Sequence, residues 1–390
     1  MRFASSIAVT SDAQEAVEQL LDPIDRSITP GMVDLVFLFI TGHYEDDVEH
    51  ILERTTETFP HAVMVGCSAC GAIGVDREVE GSPAMSLVVG SLPNVRICPF
   101  ALRQPELLAA QTVHDWERIV GVSPESDPTF IAMGDPFRLN ILGFVDQINH
   151  AYAGAPLLGG VASAADKPEG NMLFLNGEVF REGVVGVALT GDVVVEGVVS
   201  QGCKPIGKHF VITKGQRNVI QELGGHPPLH QLETVLSGLS KDEKKLAKQS
   251  LLVGRVIDEY KGQFAGGDFL IHGIIGADRQ SGAIAIAGHV RVGTTIQFQV
   301  RDAASADQNL RESLTPHADA ITKGALLFAC AGRGKRMYPD TGHDVGVFRE
   351  IVGGVPLAGF FCGGEFGQVG GRNFVHGFST SIAMFREKTA

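Results

Sequence analysis

Gly324-Ala325-Leu326-Leu327-Phe328-Ala329 is a short apolar run, and Val355-Pro356-Leu357-Ala358-Gly359 is a second one that follows roughly 30 residues later. Each run has the length of a strand, and the interval leaves room for a helical crossover, which predicts a parallel strand pair. The same arrangement occurs twice earlier in the chain, with apolar runs at residues 34–39 and 62–66, and at residues 129–133 and 155–159.

Helical spacing fills the intervals between these runs. Residues 46–59 place Val48, Ile51 and Leu52 on one face, residues 139–152 behave in the same way, and residues 342–351 allow only a turn or two. A small-residue turn and antiparallel-looking sequence follow each second run, and Asn176-Gly177 is typical of a hairpin. The pattern predicts an α/β fold of repeated strand–helix–strand–meander units that form mixed sheets, with helices on at least one face.

A chain of 390 residues exceeds one ordinary core, so two domains are expected. The repeated pattern stops at residues 200–300, where a helical segment at 232–252 and strands at 283–287 and 295–300 are predicted. We therefore expect one domain over residues 1–200 and a second over residues 201–390.

Composition excludes several classes of function. The net charge of −13 argues against nucleic-acid binding, which needs clustered Lys and Arg. No apolar run approaches the ~18–20 residues that span a bilayer, so no membrane insertion is expected. The first residues lack the apolar core of a signal peptide, and six cysteines in so long a chain suggest free thiols in a reducing compartment. These features predict a cytoplasmic protein.

Polar side chains gather near the predicted strand ends of the last unit. Arg333 and Arg372 could clamp a carboxylate, and Glu365 could bind an ammonium group, which together suit an amino acid. The alternative is that Arg372 and Glu365 pair with each other and shape a turn. The candidate ligand-binding residues of this unit are Cys330, Arg333, Cys362, Glu365, Arg372 and Asn373.

The chain resembles the FIST family over essentially its whole length. The run 324–334, ending in Gly332-Arg333-Gly334, is similar to the family's strand-plus-GRG motif, and residues 359–365 with 370–377 resemble its C-terminal signature. Gly66-Cys67-Ser68 and residues 158–163 are similar to shorter turn motifs of the N-terminal half, which adds Cys67, Ser68 and Ser163 to the candidates. Gly363 and His272 depart from the family pattern, where we expect Asn and Arg.

The resemblance implies an intracellular sensory protein with an N-type and a C-type FIST domain. It implies a small-molecule ligand, for which amino acids or their derivatives are proposed in the family. Relatives are often fused to output domains, and this chain has no room for one, so we expect it to signal to a partner protein in trans.

Other functions stay open. An enzyme could use Cys362 as nucleophile with His376 as base, although no acid–base pairing is visible, and a pure interaction scaffold is also possible. Cys67 and Cys70 have the spacing of a redox motif, and residues 332–336 could hold an anion. No paired histidines have metal-ligand spacing. We therefore expect no catalytic residues, no metal and no cofactor.

Overall fold

The first half of the chain holds two strand–helix–strand segments, each followed by a run of further strands, as the apolar runs predict. A computed structural model describes residues 1–262, 264 and 267–388. The elements of this half are β1 (Arg2–Ala8), α1 (Ala13–Asp25), β2 (Leu35–Thr41), α2 (Val48–Thr58), β3 (Val63–Ala69), β4 (Gly71–Ile73), β5 (Glu78–Glu80), β6 (Met85–Ser91), β7 (Val95–Leu102), α3 (Gln104–Ala109), α4 (Val113–Val120), β8 (Thr129–Gly134), α5 (Ile141–Ala151), β9 (Leu157–Val161), β10 (Leu173–Leu175), β11 (Glu178–Phe180), β12 (Val184–Gly191) and β13 (Val193–Gln201).

The second half begins with longer antiparallel strands and returns to the strand–helix–strand pattern near its end. The predicted helical segment 232–252 is two helices, because Ser240 caps the second of them, and its last residues belong to a strand. The elements are β14 (Cys203–Gln216), β15 (Val219–Leu223), α6 (Pro228–Gly238), α7 (Lys241–Gln249), β16 (Leu251–Val256), β17 (Phe269–Ala277), β18 (Ile284–Ile286), β19 (Thr295–Arg301), α8 (Ala303–Leu314), β20 (Gly324–Cys330), α9 (His343–Ile351), β21 (Leu357–Cys362), β22 (Glu365–Val369), β23 (Arg372–His376) and β24 (Ser379–Glu387). The mixed α/β fold is confirmed.

Contacts within the chain divide it into two units. Unit 1 comprises residues 1–199, 311–375 and 379–390, and unit 2 comprises residues 200–310 and 376–378. These units follow contacts in space, so the last strand–helix–strand segment belongs with the first 199 residues. A division of the family domains into 1–200 and 201–390 stays a prediction.

Each sheet of unit 1 has a parallel pair at its centre. The pairs are β2–β3, β8–β9 and β20–β21, as the apolar runs predict. Gly66, Gly159 and Gly359 occupy the same place in the three pairs. A Cβ atom at these positions would lie 1.8, 2.0 and 1.8 Å from a carbonyl oxygen of the neighbouring strand, so only glycine lets the strands approach.

The outer hairpins are exchanged among the three sheets in a cycle. The sheet orders are β1-β6-β2-β3-β10-β11, β23-β22-β9-β8-β12-β7 and β13-β24-β20-β21-β4-β5. The hairpin that follows β3 therefore completes the third sheet, the hairpin that follows β9 completes the first, and the hairpin that follows β21 completes the second. Residues 71–80 thus lie beside the last strand–helix–strand segment, although they are far from it in the sequence.

One apolar core joins the inner faces of the three sheets. Phe39 of β2 lies 4.9 Å from Phe360 of β21 and 6.3 Å from Phe328 of β20, measured between ring centroids. Ile131 and Met133 of β8 belong to the same cluster. Helices cover the outer faces of the first two sheets, with α1 and α2 on one and α4 and α5 on the other.

Unit 2 contains a closed barrel with the strand order β14-β15-β18-β17-β16-β19. Its interior is filled by apolar side chains such as Phe210, Ile296 and Phe298. His272 on β17 is half-buried, and the burial of its ring, together with the charge of Arg255, lowers its pKa to about 4. The sequence predicted strands at 283–287 and 295–300, which the structure has at Ile284–Ile286 and Thr295–Arg301, but did not indicate that they close into a barrel.

Candidate functional site

Arg333 is buried in the turn that follows β20. Its backbone N–H donates to the carbonyl of Cys330 at 2.7 Å, and the next residue, Gly334, has a φ of +53°. A Cβ at Gly334 would lie 2.1 Å from Oε1 of Glu80, a residue of the β4–β5 hairpin. Gly334 of the Gly332-Arg333-Gly334 motif therefore lets this turn fold tightly against the β4–β5 hairpin.

Arg333 forms a bidentate ion pair with Asp344 at the start of α9. Nε donates to Oδ2 and Nη2 donates to Oδ1, each at 2.7 Å, and both side chains are buried. Tyr338 accepts from Nη2 at 2.9 Å, and Thr380 donates to Asp344 Oδ2 at 2.6 Å. Burial would raise the pKa of Asp344, but the charge of Arg333 and the hydrogen bonds hold it below its ordinary value. Nη1 of Arg333 is buried without a hydrogen-bond partner among the described residues, so the protein satisfies this guanidinium only in part.

A second carboxyl group faces this pair from the exchanged hairpin. Glu78 of β5 is 7% exposed, and its Oε1 accepts from the backbone N–H of Val345 at 3.0 Å. Burial, aided by the negative charge of Asp344, raises the pKa of Glu78 to about 7. The hairpin thus supplies a proton-binding group to the last strand–helix–strand segment.

Glu365 at the start of β22 is fully buried. Its Oε2 accepts from the hydroxyl of Ser379 at 2.6 Å, and its Oε1 has no hydrogen-bond partner among the described residues. Burial raises its pKa to about 8 against the opposing effects of Ser379 and Arg333. The corresponding positions of the other two exchanged hairpins hold Ala72 and Leu173, so a carboxyl group here is a local departure from an apolar pattern.

Four cysteines gather near these groups. Cys330 and Cys362 are register partners on the parallel strands β20 and β21, and Cys67 belongs to the same inner core as Cys362. Burial raises the pKa of Cys67 and of Cys362 well above the ordinary thiol value. Glu365 and the other thiols, including Cys70, add to the shift of Cys362. A buried thiol that resists ionisation is a poor nucleophile, which disfavours catalysis by Cys362.

The two predicted serines make structural contacts. Ser68 is buried, and its hydroxyl accepts from the backbone N–H of Met172 at 2.9 Å. Ser163 Oγ accepts from the backbone N–H of Cys70 at 3.0 Å and donates to the carbonyl of Phe361. These bonds tie β3 to the segment before β10, and the turn after β9 to Cys70 and to β21. Direct ligand contact by either serine stays a prediction.

Arg372 lies apart from Arg333 and Glu365. It is on the surface at the start of β23, with its side chain 62% exposed, and its Nη2 lies 3.2 Å from Oδ1 of Asp146. The expected joint clamp by Arg333 and Arg372 is not formed, and Arg372 does not pair with Glu365. A surface hollow of about 410 Å³ surrounds it, lined by Asp146, Asn149, His150, Ala153, Gly154, Gly371 and Arg372.

Asn373 connects the wall of this hollow to the second sheet. Asn149 Oδ1 accepts from the backbone and side-chain N–H groups of Asn373 at 2.8 and 3.0 Å. Asn373 Oδ1 in turn accepts from the backbone N–H of Leu157 on β9 at 2.8 Å. Asn373 is 1% exposed, so it supports the wall of the hollow from the protein interior.

Sequence reasoning missed Asp344, Glu78, Asp146 and Asn149. Asp344 and Asp146 lie on helices, where a charged residue is normally solvent-exposed. Glu78 is brought in by a hairpin far away in the chain. A buried Arg333 without an obvious carboxylate in its own turn was the one available signal for Asp344.

Two further properties bear on the class of site. Within the described residues, no group of three or more His, Cys, Asp and Glu side chains is arranged to hold a metal ion. None of the helices in the described part of the chain combines the length and the apolar character that crossing a bilayer takes.

Comparisons with known proteins place the chain in a family. The FIST N domain matches residues 34–226 and the FIST C domain matches residues 229–368. An uncharacterized protein of Mycobacterium tuberculosis, Rv0628c, is 34% identical over 388 residues, covering 99% of this chain and 100% of the relative. Mb0898c of Mycobacterium bovis, also uncharacterized, is 34% identical and covers 99% of both chains.

A solved structure of a cyanuric acid hydrolase from A. caulinodans covers 99% of this chain and 100% of its own, with 8% identity and a TM-score of 0.38. A TM-score of this size does not indicate a shared activity. The two domain matches cover most of the sequence, and FIST domains are generally sensory, ligand-binding domains of signal transduction. The chain therefore belongs to the FIST family.

Proposed function

We propose that this protein binds an amino acid or a related polar metabolite in the hollow around Arg372. The observation that supports this is the exposed ion pair of Arg372 and Asp146, whose atoms lie 3.2 Å apart at the hollow. An amino acid carries the complementary charges, a carboxylate for Arg372 and an ammonium group for Asp146. An exposed ion pair contributes only about 0–1 kcal/mol, so a ligand can replace it at small cost.

The size and lining of the hollow suit a small polar molecule. A volume of about 410 Å³ is within the range of small-molecule sites, which is roughly 300–1,000 Å³. No atom lies within 4 Å of a Cβ added at Gly154 or Gly371, so the backbone is accessible from the hollow at both positions. Asn149 and His150 of α5 supply further polar groups beside the ion pair.

Ligand binding would be transmitted through Asn149. This side chain lines the hollow and holds Asn373, which in turn holds β9. A ligand that favours one position of Asn149 would favour one position of the β22–β23 hairpin, as a population shift requires. We propose that a partner protein in trans detects this difference. All six cysteines are thiols, which fits the reducing cytoplasm.

Calorimetric titration with a panel of amino acids and organic acids tests the proposal. Native mass spectrometry of freshly purified protein would first identify any retained metabolite. We expect Arg372→Gln and Asp146→Asn to weaken binding of a zwitterionic ligand roughly tenfold or more, because each removes a charge-assisted hydrogen bond. Arg118→Gln is the matched control, since Arg118 is also exposed and lies 3.2 Å from Asp115.

Two results would contradict the proposal. One is a panel in which no member binds the wild-type protein. The other is a ligand that binds Arg372→Gln as tightly as the wild type, which would place the site elsewhere and return attention to Arg333, Glu365, Cys330, Cys362 and Cys67.

A further inference from the structure

The ends of β20 and β21 bring two thiols side by side. Cys330 and Cys362 are paired residues of parallel strands, and paired residues in a parallel sheet point to the same face. Leu326 and Phe328 precede Cys330 at alternate positions, and Ala358 and Phe360 precede Cys362 in the same way. All four belong to the inner core, so both cysteines lie on the inner face of this sheet.

The separation of neighbouring strands suits a covalent link. Adjacent strands lie about 4.7–4.9 Å apart, and disulfide-bonded cysteines have Cα atoms about 4.4–6.8 Å apart. Each cysteine is the last residue of its strand and is followed by a glycine-rich turn, Ala331-Gly332 after one and Gly363-Gly364 after the other. These turns allow the small adjustment that a disulfide needs.

Cys330 is the more accessible of the two thiols. Cys330 is half-buried, and the backbone N–H of Gly332 lies 3.4 Å from its Sγ. It also lies near the buried guanidinium of Arg333, whose main partner is Asp344. A partly exposed thiol near a cation and a backbone donor is the usual environment of a reactive cysteine.

Cys362 has the surroundings of a resolving thiol, which reacts with the oxidised cysteine and not with the oxidant itself. Cys362 is fully buried and faces apolar side chains of the inner core, so oxidants in solution do not reach it directly. It can react only with a group presented inside the protein. Its register partner Cys330 is such a group.

We propose that Cys330 and Cys362 form a peroxide-sensitive dithiol, in which Cys330 reacts first and Cys362 resolves it. The Cys330 sulfur, as a thiolate, attacks a hydroperoxide, and the O–O bond breaks. One oxygen stays on the sulfur as a sulfenic acid, and the alkoxide or hydroxide that leaves takes a proton from solvent to become an alcohol or water. Cys362 ionises poorly, but the Cys330 sulfur lies beside it in the sheet, and this proximity allows the Cys362 sulfur to attack it. The hydroxyl group leaves with the proton of Cys362 as water, and two electrons have passed from the two sulfurs to the peroxide.

Peptide mapping after treatment of the full chain with one equivalent of hydrogen peroxide tests this. In the wild type we expect a cross-link between the peptides that hold Cys330 and Cys362. In Cys362→Ser we expect the sulfenic acid of Cys330 to persist and to be trapped by dimedone. In Cys330→Ser we expect the Cys362 peptide to stay reduced. Cys98→Ser, at a cysteine of β7 in another sheet, should behave as the wild type does.

The competing outcomes are distinct. Oxidation of the exposed Cys70 while Cys330 stays reduced overturns the proposal, and so does a cross-link from Cys330 to Cys67 or Cys70 in place of Cys362. Cys330→Ser replaces a half-buried residue, so it keeps the test decisive if Cys362→Ser does not fold. A cross-link of Cys362 that survives in Cys330→Ser also overturns the proposal. Both results are independent of whether the hollow at Arg372 binds a ligand.

Discussion

Arg333 and Asp344 face each other through two hydrogen bonds of 2.7 Å inside unit 1, with side chains that are 0% and 2% exposed. The Gly-Arg-Gly turn after β20 is therefore joined to the start of α9 by a buried charge pair. Such a pair adds little compared with apolar packing, but removing one partner leaves an uncompensated charge in the interior.

We expect Asp344→Asn to lower the free energy of unfolding by about 3–5 kcal/mol, because Arg333 stays charged and loses its counter-ion. Urea unfolding followed by circular dichroism measures the change. Asp146→Asn serves as the control, since its ion pair with Arg372 is exposed and should contribute less than about 1 kcal/mol. Equal effects of the two substitutions would show that the buried Arg333–Asp344 pair contributes no more to stability than an exposed pair.

Glu365 should make stability depend on pH. Its pKa is raised from an unfolded value of about 4.3 to about 8, so the folded state holds the proton more tightly. Its stabilising contribution is complete below about pH 4.3 and is lost as the pH rises through 8. Between pH 6 and pH 8 the loss is about 2 kcal/mol.

Glu365→Gln keeps the size of the side chain and removes this titration. The free energy of unfolding of the wild type should therefore fall relative to that of Glu365→Gln as the pH rises from 6 to 8. Wild-type and variant curves that stay parallel across this range would contradict the buried, protonated state of Glu365. Glu78, with a pKa of about 7, still titrates in the variant, so the free energy of unfolding of Glu365→Gln should still fall with pH, but with a smaller slope.

Gly359→Ala should disrupt the third sheet, because its Cβ would lie 1.8 Å from the carbonyl oxygen of Leu327. We expect a loss of about 1–3 kcal/mol or more, measured by thermal unfolding. Gly354→Ala is the matched control, since no atom lies within 4 Å of its added Cβ. A Gly359→Ala protein as stable as Gly354→Ala would show that β20 and β21 are not so close.

Alkylation by iodoacetamide at neutral pH should follow exposure. Cys330 is half-buried and Cys70 is exposed, so these two should react first. Cys67 and Cys362 are buried, with raised pKa values, and should react only after unfolding. Mass spectrometry of the labelled peptides over time measures the order. Rapid labelling of Cys362 in the folded protein would revive the hypothesis of a Cys362 nucleophile.

The local elements could be predicted because their signals are short. Apolar runs separated by a helical interval predicted the three parallel pairs, and Asn176-Gly177 predicted the β10–β11 hairpin, where both residues have positive φ. The exchange of hairpins could not be predicted, because the local sequence of a strand such as β4 contains no signal that identifies β21 as its partner. The pairing is decided by the packing of the whole of unit 1.

The candidate site was predicted in part for the same reason. Arg372 was grouped with Glu365 because they are near in sequence, but Gly370 and Gly371, both at positive φ, turn the chain between them. The turn leaves Glu365 in the interior on β22 and Arg372 on β23 at the edge of the second sheet. Two residues that are close in sequence on either side of a hairpin turn can therefore differ completely in burial.

The hairpin cycle also bears on how the chain is synthesised. The second sheet gains the two strands beyond β9 only when residues 365–376 have left the ribosome, and until then β9 keeps a bare edge. A product that stops before β22 would expose this edge to other chains, so termination before residue 365 should yield aggregates rather than a smaller working protein.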